Sequence, residues 1–481
     1  MTVLAGLLLA GAIDLVIVEK STGKPVPCRV HLKDPAGKPV KPPGLPFWRD
    51  HFVCPGRVRL DLAAGKHAYE IERGPEYSAA SGTLEGDGEV RVELSRIADL
   101  ASEGWWSGDL HVHRPAEEVE LLMSAEDLRV APVITWWNNR NLWKDRDLPA
   151  DPLRRFEGPR LARVMEGEDE REGGALLYFN LAKPLAITGA GREHPSPMTF
   201  LSQARAQAGV HVDIEKPFWW DVPVWLSSGQ ADTIGLANNH MCRSSMMENE
   251  AWGRARDAKR LPPPLGNGRW TEEIYHKVLE AGLRVPPSAG SASGVLPNPV
   301  GYNRVYVQLD GELSWDAWWA GLRAGRSFVT NGPLLRAKAG DKLPGHVFVS
   351  AGPLELDFKA VLTSRDPVAA VEVVVNDVVV RSVPAGELGR IRLTESGWFL
   401  LRAATTRTDT FRFASTAPWW VEIGGKRERI SRGAAKFFLD WAEEREKRVK
   451  VEDPAKREEV LEPHSAARRF WQDRLDRATA D

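Results

Sequence analysis

Gly104-Trp-Trp-Ser-Gly-Asp-Leu-His-Val-His-Arg-Pro115 stands where the chain changes from β-rich sequence to alternating strands and helices. Residues two apart on a strand point to the same side, so His111 and His113 are expected to project together, with Asp109 on the same face. Two imidazoles placed in this way form half of a site for Zn, Mn or Fe, and Asp109 is a candidate for orienting one of them. A histidine pair held only by surface hydrogen bonds is the alternative.

Outward from this segment the sequence predicts a multidomain α/β plus β protein. Residues 13–97 contain strands of period two, such as Arg57–Leu62, separated by Gly, Pro and Asp turns. Residues 104–335 alternate short apolar strands with helices, which is typical of an α/β layer or barrel. Residues 336–425 return to strands, and residues 430–481 form a helical tail.

The region 104–335 contains the elements that are expected to build a site. Helices are expected at Glu117–Leu128, Thr199–Ala208, Thr271–Ala281 and Ser314–Ala324, with Thr271 and Ser314 as N-caps. Strands are expected at Val130–Thr135, Leu176–Asn180, Val210–Ile214, Thr233–Ala237 and Arg284–Pro286. In barrels of this kind, the loops after the strands carry the active site. In the tail, the charged run Glu443–Lys450 is expected to face solvent.

Two stretches resemble known families. Thr22–Lys38 resembles the carboxypeptidase-regulatory-like β-sandwich. The Asp-Leu-His-x-His frame at 109–113 and the junction Gly325–Leu335 resemble CehA/McbA-type metallohydrolases of the polymerase-and-histidinol-phosphatase (PHP) superfamily. That resemblance implies a distorted (β/α)7 barrel flanked by N-terminal and C-terminal β-sandwich domains. It also implies a divalent metal cluster at the strand ends that performs hydrolysis.

Only part of the family's ligand set is present. His111 and His113 match its first motif, and the segment Glu166-Gly-Glu168 makes Glu168 the bridging carboxylate, with an ordinary surface acid as the alternative. Trp136 and Trp137 occupy two ligand positions, and Lys216 stands where the family has a ligand histidine. An indole cannot bind a metal and an ammonium repels one. A complete family-type three-metal cluster is therefore excluded.

A single divalent metal (Zn, Mn or Fe) is what the remaining residues allow. His111, His113 and Glu168 form a set of two histidines and one carboxylate. Further candidate ligands or catalytic groups are Asp213, Glu215 and His240, and His240 is as readily a capping or core histidine. Lys216, beside Glu215, is a candidate for stabilising a substrate oxyanion or for acting as a base.

These residues leave three functions open. The first is a metal-dependent hydrolase of ester, amide or phosphoester bonds with a reduced metal site. The second is a non-catalytic or repurposed barrel that binds a glycan or another small ligand through its indoles and amides. The candidate contact residues are Trp136, Trp137, Trp219, Trp220, Asn238 and Asn239. The third is a structural module in which the tryptophans pack the core.

Composition narrows the partners. The chain has 481 residues, a net charge of −2 and 43% hydrophobic residues, which gives no electrostatic sign of nucleic-acid binding and excludes a disordered chain. Residues 1–12 are either a signal peptide or the start of a first strand. A signal peptide predicts a secreted or periplasmic protein, whereas a first strand allows a cytoplasmic one. Cys28 and Cys54 are either bridged or reduced.

Overall fold

The computed structural model describes residues 11–384 and 389–481, which form a mixed α/β protein with many strands and few helices. Residues 1–10 of the predicted signal peptide lie outside this description. Gly11 and Ala12 belong to strand β1 (Gly11–Glu19), where they pair with Leu62 and Asp61. Within the described ranges, no helix combines the length and the apolar character needed to cross a membrane.

The first region packs two sheets around one hydrophobic core. After β1 its strands are β2 (Cys28–Lys33), β3 (Phe47–Trp48), β4 (His51–Cys54), β5 (Arg57–Leu62), β6 (His67–Glu72), β7 (Ala80–Leu84) and β8 (Gly88–Leu94). One sheet has the order β5–β1–β8, and the other has the order β3–β4–β2–β6–β7. Leu15, Val30 and Phe52 are completely buried between the sheets. The predicted alternation of period two is confirmed in β5 and β8, where buried and exposed residues alternate towards the end of each strand.

The middle region alternates strands and helices. Its strands are β9 (Trp105–Gly108), β10 (Val130–Trp137), β11 (Arg140–Asn141), β12 (Leu153–Phe156), β13 (Arg160–Arg171), β14 (Gly174–Phe179), β15 (His211–Ile214), β16 (Thr233–Ala237), β17 (Met241–Cys242), β18 (Ser245–Met246), β19 (Pro287–Ala289) and β20 (Arg304–Gln308). Its helices are α1 (Val119–Ala125), α2 (Pro197–Arg205), α3 (Val222–Ser227), α4 (Gly266–Glu280) and α5 (Trp315–Arg323).

Strand pairing in this region determines where the strand ends lie. β10 pairs in parallel with β9 and β13, and β15, β16 and β19 also pair in parallel. β14 lies antiparallel between β13 and β15, so those two strands share one direction. Just beyond β9, Val112 bridges Val133 on one side and Ser293 on the other. The ends of β9, β10, β13, β15, β16 and β19 therefore meet at one edge.

The last region is a second β-rich unit followed by two helices. Its strands are β21 (Ser327–Thr330), β22 (Leu334–Ala339), β23 (Val347–Ser350), β24 (Leu354–Thr363), β25 (Val368–Val375), β26 (Val378–Val383), β27 (Arg390–Leu393), β28 (Gly397–Thr405), β29 (Phe413–Thr416) and β30 (Trp419–Ile423). Strands β22, β24 and β27 form a separate sheet that shares a core with β25, β28 and β30. The tail helices are α6 (Arg432–Arg448) and α7 (Pro454–Asp476).

Several predicted boundaries differ from the structure. Helix α4 begins at Gly266, so the predicted N-cap Thr271 lies inside the helix. The glycines of its first turn, which disfavour a helix in sequence, are needed here because a Cβ at Gly268 would meet the ring of Phe411. The predicted strand Arg284–Pro286 is wrong: the paired residues are Pro287–Ala289, a run too short to show alternation. Ser314 caps α5 by accepting the backbone N–H of Ala317, so that prediction is confirmed.

The tail also departs from the expectation of a solvated charged face. Arg445, within the predicted exposed run, is only 1% exposed. Its guanidinium donates to both carboxylate oxygens of Glu193 and to Asp221 at 2.6 Å. Asp221 directly follows Trp220, so this buried ion pair fixes α6 against the loop after β15. Removing one partner of such a buried pair would leave an uncompensated charge.

Candidate metal centre

The edge where the parallel strands end brings distant segments together. His111 and His113 follow β9, Glu168 lies near the end of β13, and Glu215 follows β15. Asn239 follows β16. Because parallel strands place their carboxyl ends on the same side, side chains separated by more than 100 residues in sequence become neighbours here.

Three donor atoms converge at this edge. The Nε2 atoms of His111 and His113 lie 2.9 Å apart. The Oε2 atom of Glu168 lies 3.3 Å from Nε2 of His111 and 3.0 Å from Nε2 of His113. Ligand atoms bound tetrahedrally at about 2.0–2.1 Å from Zn are separated by about 3.3 Å. The triangle therefore has the size that one first-row divalent metal requires.

Glu215 contacts the other nitrogen of His111. Its Oε1 atom lies 3.3 Å from Nδ1 of His111, so a neutral ring can donate from Nδ1 and keep Nε2 free for a metal. Glu215 also accepts hydrogen bonds from the indole of Trp219 at 2.8 Å and from the amide of Asn239. Its remaining contact is an ion pair with Lys216. Glu215 is therefore held from several sides in the position that orients His111.

The charges of the three donors are strongly coupled. Burial alone would lower the pKa of His111, but the carboxylates of Glu168 and Glu215 raise it to about 10. Burial would raise the pKa of Glu168, but His111 and His113 hold it at about 2. Burial lowers the pKa of His113 despite the nearby Glu168. The site thus favours one positive charge beside Glu168, a position in which a divalent cation would replace that proton.

A second group of histidines and a carboxylate has a different chemistry. In the N-terminal region, Nδ1 of His31 and Nδ1 of His51 lie 3.2 and 2.9 Å from the carboxylate of Asp50. The guanidinium of Arg29 donates to Nε2 of His31 at 3.1 Å, so that nitrogen accepts and the proton is on Nδ1. A protonated Nδ1 is no metal ligand. Of these two clusters, only the one at His111 fits a metal.

Glu170 is a site residue that the sequence reasoning missed. It lies two residues beyond Glu168 on β13, which is the spacing that puts both side chains on one face of the strand. Burial raises its pKa to about 7, and repulsion from Glu168 and Glu215 adds to this effect. The period of two was the available signal. A carboxyl group with a pKa near neutral can both take up and release a proton.

Asp109 and Asp213 lie behind the donors. Asp109 does not contact an imidazole: it accepts the backbone N–H groups of His111, Ser291 and Gly301 at 2.6–3.0 Å. It therefore fixes the backbone that carries His111. Asp213 accepts hydroxyl hydrogen bonds, including one from Thr233 at 2.6 Å, and burial raises its pKa to about 7.

His240 and Asn238 form the loop after β16. The carbonyl oxygen of the Asn238 side chain accepts the backbone N–H of His240 at 3.1 Å, and its amide donates to Gly235. Asn238 therefore shapes the loop and does not point a free group at a ligand. The ring of His240 packs on Phe218 at 5.2 Å, and burial lowers its pKa to about 3. His240 is a neutral side chain close to Lys216, outside the donor triangle.

The four predicted contact tryptophans divide into two kinds. Trp136 is 2% exposed, donates to the carbonyl of Met165 at 3.1 Å and fills the space that a Cβ at Gly167 would need. Trp219 is 1% exposed, and its indole N–H donates to Glu215. Neither indole offers a free face. Trp137 is half-buried, and its ring centre lies 5.0 Å from that of His113.

Two more indoles lie towards the surface. Trp220 is half-buried, and the guanidinium of Arg448 lies 4.2 Å above its ring. Trp252 was not identified from the sequence, because it stands alone in a polar loop after β18. It is 41% exposed and stacks on Trp219, with ring centres 5.7 Å apart. Trp219 thus connects the exposed indole of Trp252 to Glu215.

Buried polar atoms without partners surround the donor triangle. Four such atoms have no hydrogen-bond partner in the part of the chain that the structure describes: Trp137 Nε1, Asn239 Oδ1, His240 Nδ1 and Ser293 Oγ. Each belongs to a residue that contacts or adjoins a member of the cluster. Leaving a buried donor or acceptor unpaired costs about 1–3 kcal/mol, so these atoms are suited to a polar ligand or ordered water.

Comparison with known proteins identifies no relative for this chain: no family model matches it, and neither the curated proteins nor the solved structures contain a match.

Proposed function

We propose that the protein is a hydrolase that uses one divalent metal ion bound by His111, His113 and Glu168. The observation that carries the proposal is the triangle of Nε2, Nε2 and Oε2 atoms with sides of 2.9–3.3 Å. The contact of Glu215 with the second nitrogen of His111 supports it further, because metal-bound histidines usually donate to a carboxylate or carbonyl.

We also infer that the middle region is a distorted barrel of the PHP type, as in CehA/McbA-type metallohydrolases. The support is that pairing runs from β9 through β10, β13, β14, β15 and β16 to β19, and that Val112 bridges the strands at both ends of this series. The donors lie at the carboxyl ends of the strands, where barrels of this kind carry their active sites.

The neighbours of the triangle argue for a single metal. Trp136 is buried in the core, and the ring of Trp137 packs beside His113, so neither supplies a ligand. The ammonium of Lys216 is paired with Glu215. This ammonium repels a second cation beside the triangle. It also neutralises Glu215, the carboxylate that a second metal would need as a ligand.

His111, His113 and Glu168 would hold the divalent metal, which when bound would supply Lewis-acid chemistry for hydrolysis of a carbonyl or phosphoryl compound. Glu170, on the same face of β13 as Glu168, is the group of this chain that we assign to hold and pass on a proton. Glu215 keeps the ring of His111 in one orientation, and Lys216 keeps Glu215 charged by holding its pKa well below the usual range. Trp137 covers one side of His113 and excludes water from it.

A second candidate function is binding of a glycan or another flat ligand without catalysis. The observation that favours it is Trp252, an indole 41% exposed that stacks on the buried Trp219. Rigid aromatic surfaces of this kind bind sugar faces at low entropic cost. The unpaired atoms on Trp137 and Asn239 would then bind hydroxyl groups.

Hydrolysis assays distinguish the two functions. Purified protein is incubated with Zn, Mn or Fe(II) and with chromogenic esters, anilides, phosphomonoesters and phosphodiesters. The hydrolase proposal expects turnover of at least one class, which a chelator abolishes and metal restores, and which His111→Ala and His113→Ala lack. His194→Ala is the matched control, because that half-buried ring pairs with Glu459 on α7. Oligosaccharide binding by metal-free protein, lost in Trp252→Ala, together with no turnover in any class, supports the second function.

A further inference from the structure

A small cavity lies where the three regions of the chain meet. Strands β2 and β6 of the first region, the loop after α1 and β20 of the middle region, and loops of the last region all contribute to it. Its wall contains five arginines: Arg29, Arg243, Arg304, Arg365 and Arg412. Only two carboxylates, Glu72 and Glu126, line it with them. The cavity is therefore unusually rich in guanidinium groups for an enclosed space.

The carboxylates that line the cavity are shared among several arginines. Glu72 accepts from Arg29, from Arg243 at 2.8 Å and from Arg365 at 3.0 Å. Glu126 is paired with Arg29, and its other oxygen lies 3.8 Å from Arg304. Glu72 is thus shared by three guanidinium groups, and Glu126 is shared by two.

Two carboxylates outside the wall neutralise part of the remaining charge. Glu70 pairs with Arg243, and Asp366 pairs with Arg412 at 2.7 Å. The five guanidinium groups therefore meet four carboxylates, which leaves an excess of one positive charge.

Two N–H groups of the wall have no hydrogen-bond partner among the described residues, and the nearest carboxylate oxygen to one of them, Nη2 of Arg304, is Oε2 of Glu126 at 3.8 Å. Nη2 of Arg304, whose residue is 1% exposed, and Nε of Arg412, whose residue is 9% exposed, are buried without a hydrogen bond among the described residues. The other nitrogens of Arg304 donate to the carbonyls of Gly301 and Glu126 at 2.6 and 3.2 Å, so its side chain cannot turn away. A buried charged donor without an acceptor is strongly unfavourable.

We propose that this cavity binds one small monovalent anion of the size of chloride. Its free space is about 20 Å³, which is enough for one small ion or one to two water molecules. A single negative charge would neutralise the excess charge and accept from both orphaned N–H groups. Arg365, 23% exposed, forms the rim through which the ion exchanges with solvent. The bound anion would join the first, middle and last regions of the chain.

Two measurements on the full-length protein test this site. Crystals soaked in bromide at near-molar concentration are expected to show an anomalous peak between Arg304 and Arg412. In solution, Tm is expected to rise with chloride concentration at constant ionic strength, with gluconate as the balancing ion, by about 1 °C or more per tenfold increase. Gluconate is too large for the cavity and serves as the reference.

Variants connect the effect to the cavity. Arg304→Gln and Arg412→Gln are expected to lose the dependence of Tm on chloride, whatever their absolute stability. Arg390→Gln is the matched control, because that exposed arginine pairs with Asp357 on the surface of β24. An empty cavity after the bromide soak overturns the proposal, as does a Tm that responds equally to chloride and gluconate. Neither result depends on the metal centre.

Discussion

Glu215→Gln is the substitution that separates the two tasks of the buried carboxylate. Glu215 contacts Nδ1 of His111 at 3.3 Å and is the ion-pair partner of Lys216. Glutamine keeps the size of the side chain and an oxygen that can accept from the indole of Trp219, 2.8 Å away in the wild type. What it removes is the negative charge. The stability and the metal affinity of the protein should respond for different reasons.

The magnitudes follow from burial. Lys216 is 3% exposed, and after the substitution its ammonium has lost its charged partner. Breaking a buried ion pair from one side costs about 3–5 kcal/mol of unfolding free energy, and we expect the lower end because the amide still accepts hydrogen bonds. Loss of the carboxylate that holds a ligand histidine lowers metal affinity by about 10–100-fold.

Urea unfolding of the metal-free protein and competition with a chromophoric chelator measure the two effects. The double variant Glu215→Gln, Lys216→Met should regain most of the stability but bind metal as weakly as Glu215→Gln. Glu166→Gln is the matched control: it changes a buried carboxylate on β13 that contacts Arg163 and Asn180. It should lose stability and keep its metal affinity. Wild-type metal affinity in Glu215→Gln would refute the role assigned to this carboxylate.

Three further predictions concern stability and accessibility. Gly167→Ala should lower the free energy of unfolding by at least about 2 kcal/mol, because the new Cβ would lie 1.7 Å from the indole of Trp136. Gly311→Ala is the control, since open space surrounds that glycine, and urea unfolding should show little loss for it. Burial lowers the pKa of His211 from 6.5 to about 3, so between these two values only the unfolded chain takes up this proton. Going from pH 7 to about pH 5 should therefore lower the free energy of unfolding by about 2 kcal/mol through this residue. The loss should be smaller in His211→Gln, and equal losses in the two proteins would contradict this. A thiol reagent should label no cysteine of the native protein and all three after unfolding, since Cys28, Cys54 and Cys242 are buried and unbridged.

Local signals predicted much of the fold. The alternation of period two located strands such as β5 and β8, and the Ser314 cap located the start of α5. The long strand β13 was not predicted, because its charged residues do not look like a buried strand. Two of its interior acids are neutralised by arginines of the same strand: Arg163 pairs with Glu166, and Arg171 pairs with Asp169. Glu168 instead meets His111 and His113 from the segment after β9, a contact that the sequence does not show.

The donors of the site were predictable, and their supporting contacts were not. The spacing of two identified His111 and His113, and the structure brings Glu168 to them. The roles of the surrounding groups depend on distances that the sequence does not contain. Glu215 orients His111, Asp109 holds its backbone, and Glu170 carries the raised pKa. Tryptophan pairs also gave an ambiguous signal, since adjacent indoles on a strand point to opposite faces, one into the core and one towards the site.

The metal content of the purified protein tests the central claim most directly. Protein grown and purified under metal-replete conditions is analysed by inductively coupled plasma mass spectrometry, next to His111→Ala and the control His194→Ala. The donor triangle predicts about one equivalent of Zn, Mn or Fe in the wild type and in the control, and almost none in His111→Ala. A wild-type content well below one equivalent, or equal contents in the wild type and His111→Ala, would contradict the account.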